Sequence, residues 1–132
     1  MTEQNLNTEP SNSTKPVLND GFKTYLSKIY YQDNNQFDKI CVGLIYFDGI
    51  TTICKIKEDK MKFVKKLNLK AFDLFEFCAL SFVNNILDNG ATYDIIERTS
   101  RYQNGIFQVT KPSFIAVDCN YDNFNSYFER YV

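Results

Sequence analysis

Any chemistry in this chain has to come from carboxylates, arginines, lysines and tyrosines, because histidine is absent. Its absence removes the Ser-His and Cys-His nucleophile pairs, the commonest general base, and His-based zinc sites. The densest polar set outside the lysines is Asp94, Glu97, Arg98, Arg101 and Tyr102. On an extended strand Asp94 and Arg98 share a face, so a plain ion pair accounts for them. Acid–base work needs two groups converging in one cleft; the weak catalytic candidates are Asp38, Glu97, Arg98 and Arg101. Asp33, Asp38 and Asp48 carry the oxygen ligands that magnesium prefers. Loop and turn positions explain each of them, so no metal site is expected. No cofactor is expected either, since Gly21, Gly43, Gly49, Gly90 and Gly105 are isolated and none builds a phosphate loop.

A second candidate is electrostatic. Lys55, Lys57, Lys60, Lys62, Lys65, Lys66 and Lys70 outnumber Glu58 and Asp59 within one short segment. Most such runs are solvated helix faces. The functional alternative is a patch for RNA, DNA or an acidic partner, with Lys60, Lys62, Lys65 and Lys66 as its centre. The segment contains no arginine and few aromatics, which weighs against nucleic acid.

These groups need a scaffold, and 132 residues allow one domain with one core. The chain has no Trp, but 12 Phe and 9 Tyr supply bulk. A net charge of -1 provides no global attraction for nucleic acid or membrane. No apolar run reaches bilayer length, and the N-terminus lacks the basic and apolar regions of a secretory signal. Cytoplasmic residence without membrane contact is the expectation. Cys41, Cys54, Cys78 and Cys119 show no C-x-x-C spacing and read as reduced, mostly buried small hydrophobes.

The scaffold is organised around residues 39–57, K-I-C-V-G-L-I-Y-F-D-G-I-T-T-I-C-K-I-K. Asp48-Gly49 between two β-type runs is a strong hairpin signal. A two-residue turn there predicts Phe47 opposite Ile50, Ile45 opposite Thr52, Gly43 opposite Cys54 and Cys41 opposite Ile56. Those eight residues then share one face. Cys41, Gly43 and Cys54 make its centre low, a hollow into which a helix could dock.

The remaining elements follow in order. Residues 1–19 are polar and read as a disordered tail, leaving residues 20–132 as the single domain. Residues 22–31 read as a strand and residues 32–35 as a turn. Residues 58–67 form a short helix. Residues 69–88 form the main helix, capped by Asn68 and ended by Gly90. Tyr93, Ile95 and Glu97 alternate with Asp94, Ile96 and Arg98, which predicts a strand over residues 92–103. Asn104-Gly105 would turn it back through residues 106–109 as a second hairpin. After Pro112 comes a short apolar run over 114–117. Phe124, Tyr127, Phe128 and Tyr131 then recur at helical spacing. The expected class is α+β: a mainly antiparallel sheet from two hairpins, packed with one long and two short helices.

From about residue 22 to its end the chain resembles the bacterial family called domain of unknown function 3037. That family's first strand is matched at Tyr25 to Tyr30. Its E-x-apolar-N-apolar-G segment is matched at Asp38-Lys39-Ile40-Cys41-Val42-Gly43 and the apolar run that follows. Glu97-Arg98-Thr99 through Pro112 match its Arg-rich hairpin, and residues 127–132 match its closing helix. Asp38 stands where the family has Glu, Cys41 where it has Asn, and Lys28 replaces a first-strand Arg. The family has no assigned reaction, but some members are encoded beside kinases that look like the HipA toxin. The resemblance therefore implies a regulatory partnership with such a kinase or a toxin–antitoxin system. Taken together, the leading expectation is a small module that acts on a protein partner and is not an enzyme. Nucleic-acid binding through residues 55–70 is the first alternative. An enzyme using Asp38, Glu97 and Arg98 is the second.

Overall fold

The computed structural model of the chain describes residues 23–33, 39–101 and 105–132. The expectations for the tail, for Asp38, Tyr102 and Asn104, and for the turn at residues 34–35 lie outside those residues. The class is α+β. Among the described residues five strands form one antiparallel sheet, and four helices pack on it.

The strands are β1 (Thr24–Gln32), β2 (Lys39–Phe47), β3 (Thr52–Ile56), β4 (Phe107–Val109) and β5 (Ser113–Ile115). Their order is β3-β2-β1-β4, and β5 pairs β1 beside β4. β4 lies against Ile29 to Tyr31 and β5 against Thr24 to Leu26. Between them Thr110 serves Lys28 twice: its N–H donates to the Lys28 carbonyl (2.9 Å), and its hydroxyl accepts from the Lys28 N–H (2.8 Å). Pro112 has no N–H to give a ladder, so this outer strand is broken into two short pieces.

The helices are α1 (Glu58–Leu67), α2 (Leu69–Asn89), α3 (Tyr93–Arg101) and α4 (Tyr121–Tyr131). One face of the sheet buries Ile29, Tyr31, Val42, Ile45 and Phe47 against Met61 and Val64 of α1 and Phe72, Phe75, Ala79 and Ile86 of α2. The other face buries Leu26, Leu44, Tyr46 and Ile53 under Phe124 and Phe128 of α4. Helices cover both faces, so β1 and β2 read as near-continuous apolar runs. Asn68 joins two layers: its carbonyl oxygen accepts from the Ala71 N–H at 3.3 Å and starts α2, and its amide donates to the Tyr31 hydroxyl at 2.9 Å. Gly90, at φ 82, ends α2 as expected.

Three expectations are corrected. Residues 93–101 are helical, so only one tight hairpin, β2–β3, exists among the described residues, and β4 pairs with β1 instead of with a strand before it. Thr92 caps this helix, its hydroxyl accepting from the Ile95 N–H at 3.3 Å. Ile96 is fully buried. Secondly, the β2–β3 register is two residues out. Phe47 faces Thr52, Ile45 faces Cys54 and Gly43 faces Ile56. The connection is longer because the Asp48 carboxylate accepts from the N–H groups of Ile50 (2.9 Å) and Thr51 (2.7 Å), closing an Asx-type turn.

The third correction concerns the docking hollow. β2 carries a bulge: Ile29 pairs Gly43 while Tyr30 pairs Cys41, so Val42 is the extra residue. A bulge reverses which face the following side chains take. Ile40 and Val42 therefore join Ile45 and Phe47 on the α2 face, and Cys41 goes to the α4 face. Gly43 is glycine for a neighbour within the sheet. A Cβ there would lie 2.7 Å from the Lys55 carbonyl oxygen and 3.1 Å from the Ile56 side chain.

Candidate functional site

The sequence-derived candidates fall at separate places. Glu97, Arg98 and Arg101 lie on α3, which packs beside β4. The Glu97 carboxylate is bound by Arg101 at 3.0 Å, a same-helix pair one turn apart. Lys60, Lys62, Lys65 and Lys66 lie on α1, which packs on β2 and α2. Lys62, Lys65 and Lys66 are exposed, whereas Lys60 is half-buried on the opposite side of the helix. Burial raises the pKa of the Cys41 thiol and outweighs its hydrogen bond to the Gly43 carbonyl and the nearby Lys28 and Lys60. Among the described residues no cluster of three or more carboxylates and thiols could hold a metal, and no helix is long and apolar enough to cross a membrane.

A different feature stands out at the β3 side of the sheet. No strand pairs with the outer edge of β3 among the described residues. The Lys57 N–H donates to the Val42 carbonyl at 2.8 Å. Backbone groups alternate along an antiparallel strand, so those of Ile53 and Lys55 also point at β2. The N–H and C=O groups of Thr52, Cys54 and Ile56 then point outward.

Two open grooves run along this edge and meet at Lys55. One, of about 440 Å³, is lined by Thr52 to Lys55 with Leu87 of α2 and Tyr121, Phe124 and Asn125 of α4. The other, of about 690 Å³, is lined by residues 55–59 with Met61, Glu76, Leu80 and Phe128. The flanks are apolar and exposed: Leu80 is 47% accessible, Leu87 52% and Tyr121 68%. On the outward side of α2, Leu74 is 57% and Phe77 70% accessible, among Lys70, Asp73, Ser81 and Asn84.

Charged residues commonly guard an open edge by standing off it. Lys55 does not, because its ammonium is drawn over the Phe128 ring at 5.1 Å to the centroid. Lysines that rest on rings keep their stems on the sheet and leave the edge accessible. Cys54, on the edge itself, has its thiol pushed up to about 12 by burial, so it is a packing group and a poor nucleophile.

Sequence reasoning named β3 but did not find this site. The signal was available in part: a strand of five residues without Pro or Gly, and beyond α1 a long helix with Leu80 and Leu87 exposed. What was hidden is that β4 and β5 both pair β1, which puts the continuous strand β3 at one edge of the sheet and the broken β4–β5 strand at the other. Comparison with family models, with curated proteins and with solved structures gave no match to this chain.

Proposed function

We propose that this chain is a protein-interaction module that accepts an extended segment along β3. The observation that carries it is the open β3 edge, set between exposed apolar side chains of α2 and α4. Strand addition supplies affinity through main-chain hydrogen bonds, and the flanking pockets select side chains. Leu87 and Tyr121 on one side of Lys55 offer an apolar seat, and on the other side Leu80 stands among Lys57, Glu58, Asp59 and Glu76, a mixed one. The resemblance to the family of unknown function 3037 adds a partner class, a kinase-like regulatory protein. Leu87→Lys combined with Tyr121→Lys tests the reading, since both side chains are exposed, with circular dichroism matching the wild type as the check on folding. A tagged wild-type chain is expected to retain a protein that the double variant loses. An identical retained set for both chains contradicts the proposal.

A second reading rests on Lys62, Lys65 and Lys66, which share the exposed side of α1. It assigns them to a nucleic-acid backbone and predicts binding that falls with salt. Changing all three to Glu abolishes binding of a labelled single strand on this reading. Unchanged anisotropy in that variant removes it.

A further inference from the structure

α4 covers only half of the sheet face on which it lies, where it buries Leu26, Leu44, Tyr46 and Ile53. The strand registers lay out the other half. Lys28 and Lys55 stand in one row on either side of Leu44. Tyr30 lies between Cys41 and Gln108 in the next row, and Gln32 pairs Lys39 in the last. Side chains alternate along each strand, so all of these face the α4 side. Lys39 and Lys55 are exposed there, and Lys28, Tyr30, Gln32, Cys41 and Gln108 are half-buried, so solvent reaches this half of the face.

Two kinds of group gather on it. The first is cationic. The five strands contain no Asp or Glu, and Lys28, Lys39 and Lys55 form no ion pair with a described carboxylate. Glu58 and Asp59 share a groove with Lys55 but do not pair with it. The second is aromatic, because each ammonium rests on a ring instead. Lys28 lies over Tyr131 at 4.0 Å, Lys39 over Tyr30 at 5.5 Å and Lys55 over Phe128 at 5.1 Å. The Tyr131 ring, 37% accessible, also stacks on Tyr127.

We propose that this half-face binds single-stranded nucleic acid, with bases on Tyr30 and Tyr131 and phosphates on Lys28, Lys39 and Lys55. A base stacks on a ring more strongly than an exposed ammonium rests on it. The lysine it displaces stays beside the ring, where the phosphate of the same nucleotide can take its charge. Lys28 and Lys55 are two strands apart, ~10 Å, so both can serve one backbone. A duplex keeps its base faces stacked inside and offers the rings nothing. A bilayer would need exposed aliphatic side chains to insert, and none of the residues laid out here supplies one. An acidic peptide would use the lysines and leave the rings idle. The site lies across the sheet from α1 and α2, and it needs neither the β3 backbone nor Lys62, Lys65 and Lys66.

Anisotropy of a labelled oligothymidine, titrated with the full chain across a salt series, is the test. The wild type is expected to bind it. Lys28→Ala with Lys55→Ala is expected to reduce the salt slope by ~1.4, at ~0.7 for each phosphate released. Tyr131→Ala is expected to weaken binding about tenfold, the loss of one stacked base, with the slope unchanged. Tyr131→Phe keeps the ring and is expected to bind as the wild type does, and circular dichroism checks the fold of each variant. Heparin, a polyanion without bases, should not distinguish Tyr131→Ala from the wild type. Oligothymidine binding indifferent to Tyr131→Ala, or an equal loss of heparin binding, leaves an anion patch without stacking and overturns the proposal. A duplex bound as tightly as the single strand overturns it too. Binding that survives the Lys28 and Lys55 changes but is lost with Lys62→Ala, Lys65→Ala and Lys66→Ala together belongs to α1, which also overturns it. So does an absence of binding at low salt.

Discussion

Gly43 shows how one residue can be read correctly as a packing position and assigned to the wrong neighbour. Close approach was the right reason for a glycine in a strand, but what approaches is the β3 backbone, at 2.7 Å from where a Cβ would stand. Backbone held by a ladder cannot step aside as a flexible side chain can. Gly43→Ala should therefore cost about 1–3 kcal/mol through overpacking, read as a lower urea midpoint. An unchanged midpoint would mean that the two strands are not this close. Cys54 gives a pH-dependent prediction. Burial holds its thiol at about 12, against an ordinary value of 9.0. The unfolded chain releases this proton from pH 9 upward while the folded chain keeps it. The native state then binds more protons, so stability is complete below pH 9 and declines toward pH 12, at ~1.4 kcal/mol per pH unit for this group. Burial shifts the Tyr46 hydroxyl in the same direction. Urea midpoints measured across that interval should fall, and Cys54→Ala should make the fall shallower. A variant with the wild-type slope would remove Cys54 from the account.

α3 marks where element-level reasoning failed. Alternation of Tyr93, Ile95 and Glu97 with their neighbours mimicked a half-buried strand. The helical signals were weaker but present: Thr92 as a cap, Asp94 in the first turn, and Arg98 and Arg101 in the last. Asp94–Arg98 and Glu97–Arg101 also sit at the four-residue spacing that supports a helix. Only Ile96 in this helix is fully enclosed, so no stripe of several apolar residues announced it. Ile96→Ala should cost about 2–5 kcal/mol, seen as a lower thermal midpoint. Ile95→Ala, at a more exposed position, should cost much less, and equal losses would contradict the observed helix face. α2 was legible because Asn68, Gly90 and a long apolar stripe agree with one another. β1, β2, α1 and α4 were legible for similar local reasons. The hairpin existed as expected, but its register did not follow from Asp48-Gly49, because the Asp48 side chain closes a longer turn. The bulge at Val42 is a consequence of tertiary fit, and nothing in the alternation of β2 foretold it.

At the scale of the whole molecule, the two edges of the sheet differ among the described residues: one is the continuous strand β3, the other is broken into β4 and β5. β4, Thr110 and β5 together satisfy the outer side of β1, while β3 has no strand beside it among the described residues. That asymmetry decides which surface is a site, and it depends on pairings between residues about eighty positions apart, such as Lys28 with Thr110. Local patterns carry no such information, which is why attention went to α3 and the lysines instead. The same arrangement places Leu80, Leu87 and Tyr121 where an added strand would cover them, so the exposed apolar surface and the unpaired backbone have one explanation. Amide hydrogen exchange along β3 tests this most directly. In dilute solution the Cys54 and Ile56 amides should exchange freely while those of Ile53 and Lys55 are protected, and protection of the first pair should rise when a partner is added. Equal protection of all four amides in a species of monomer mass, at every dilution, would show that the edge is already covered and would contradict the account.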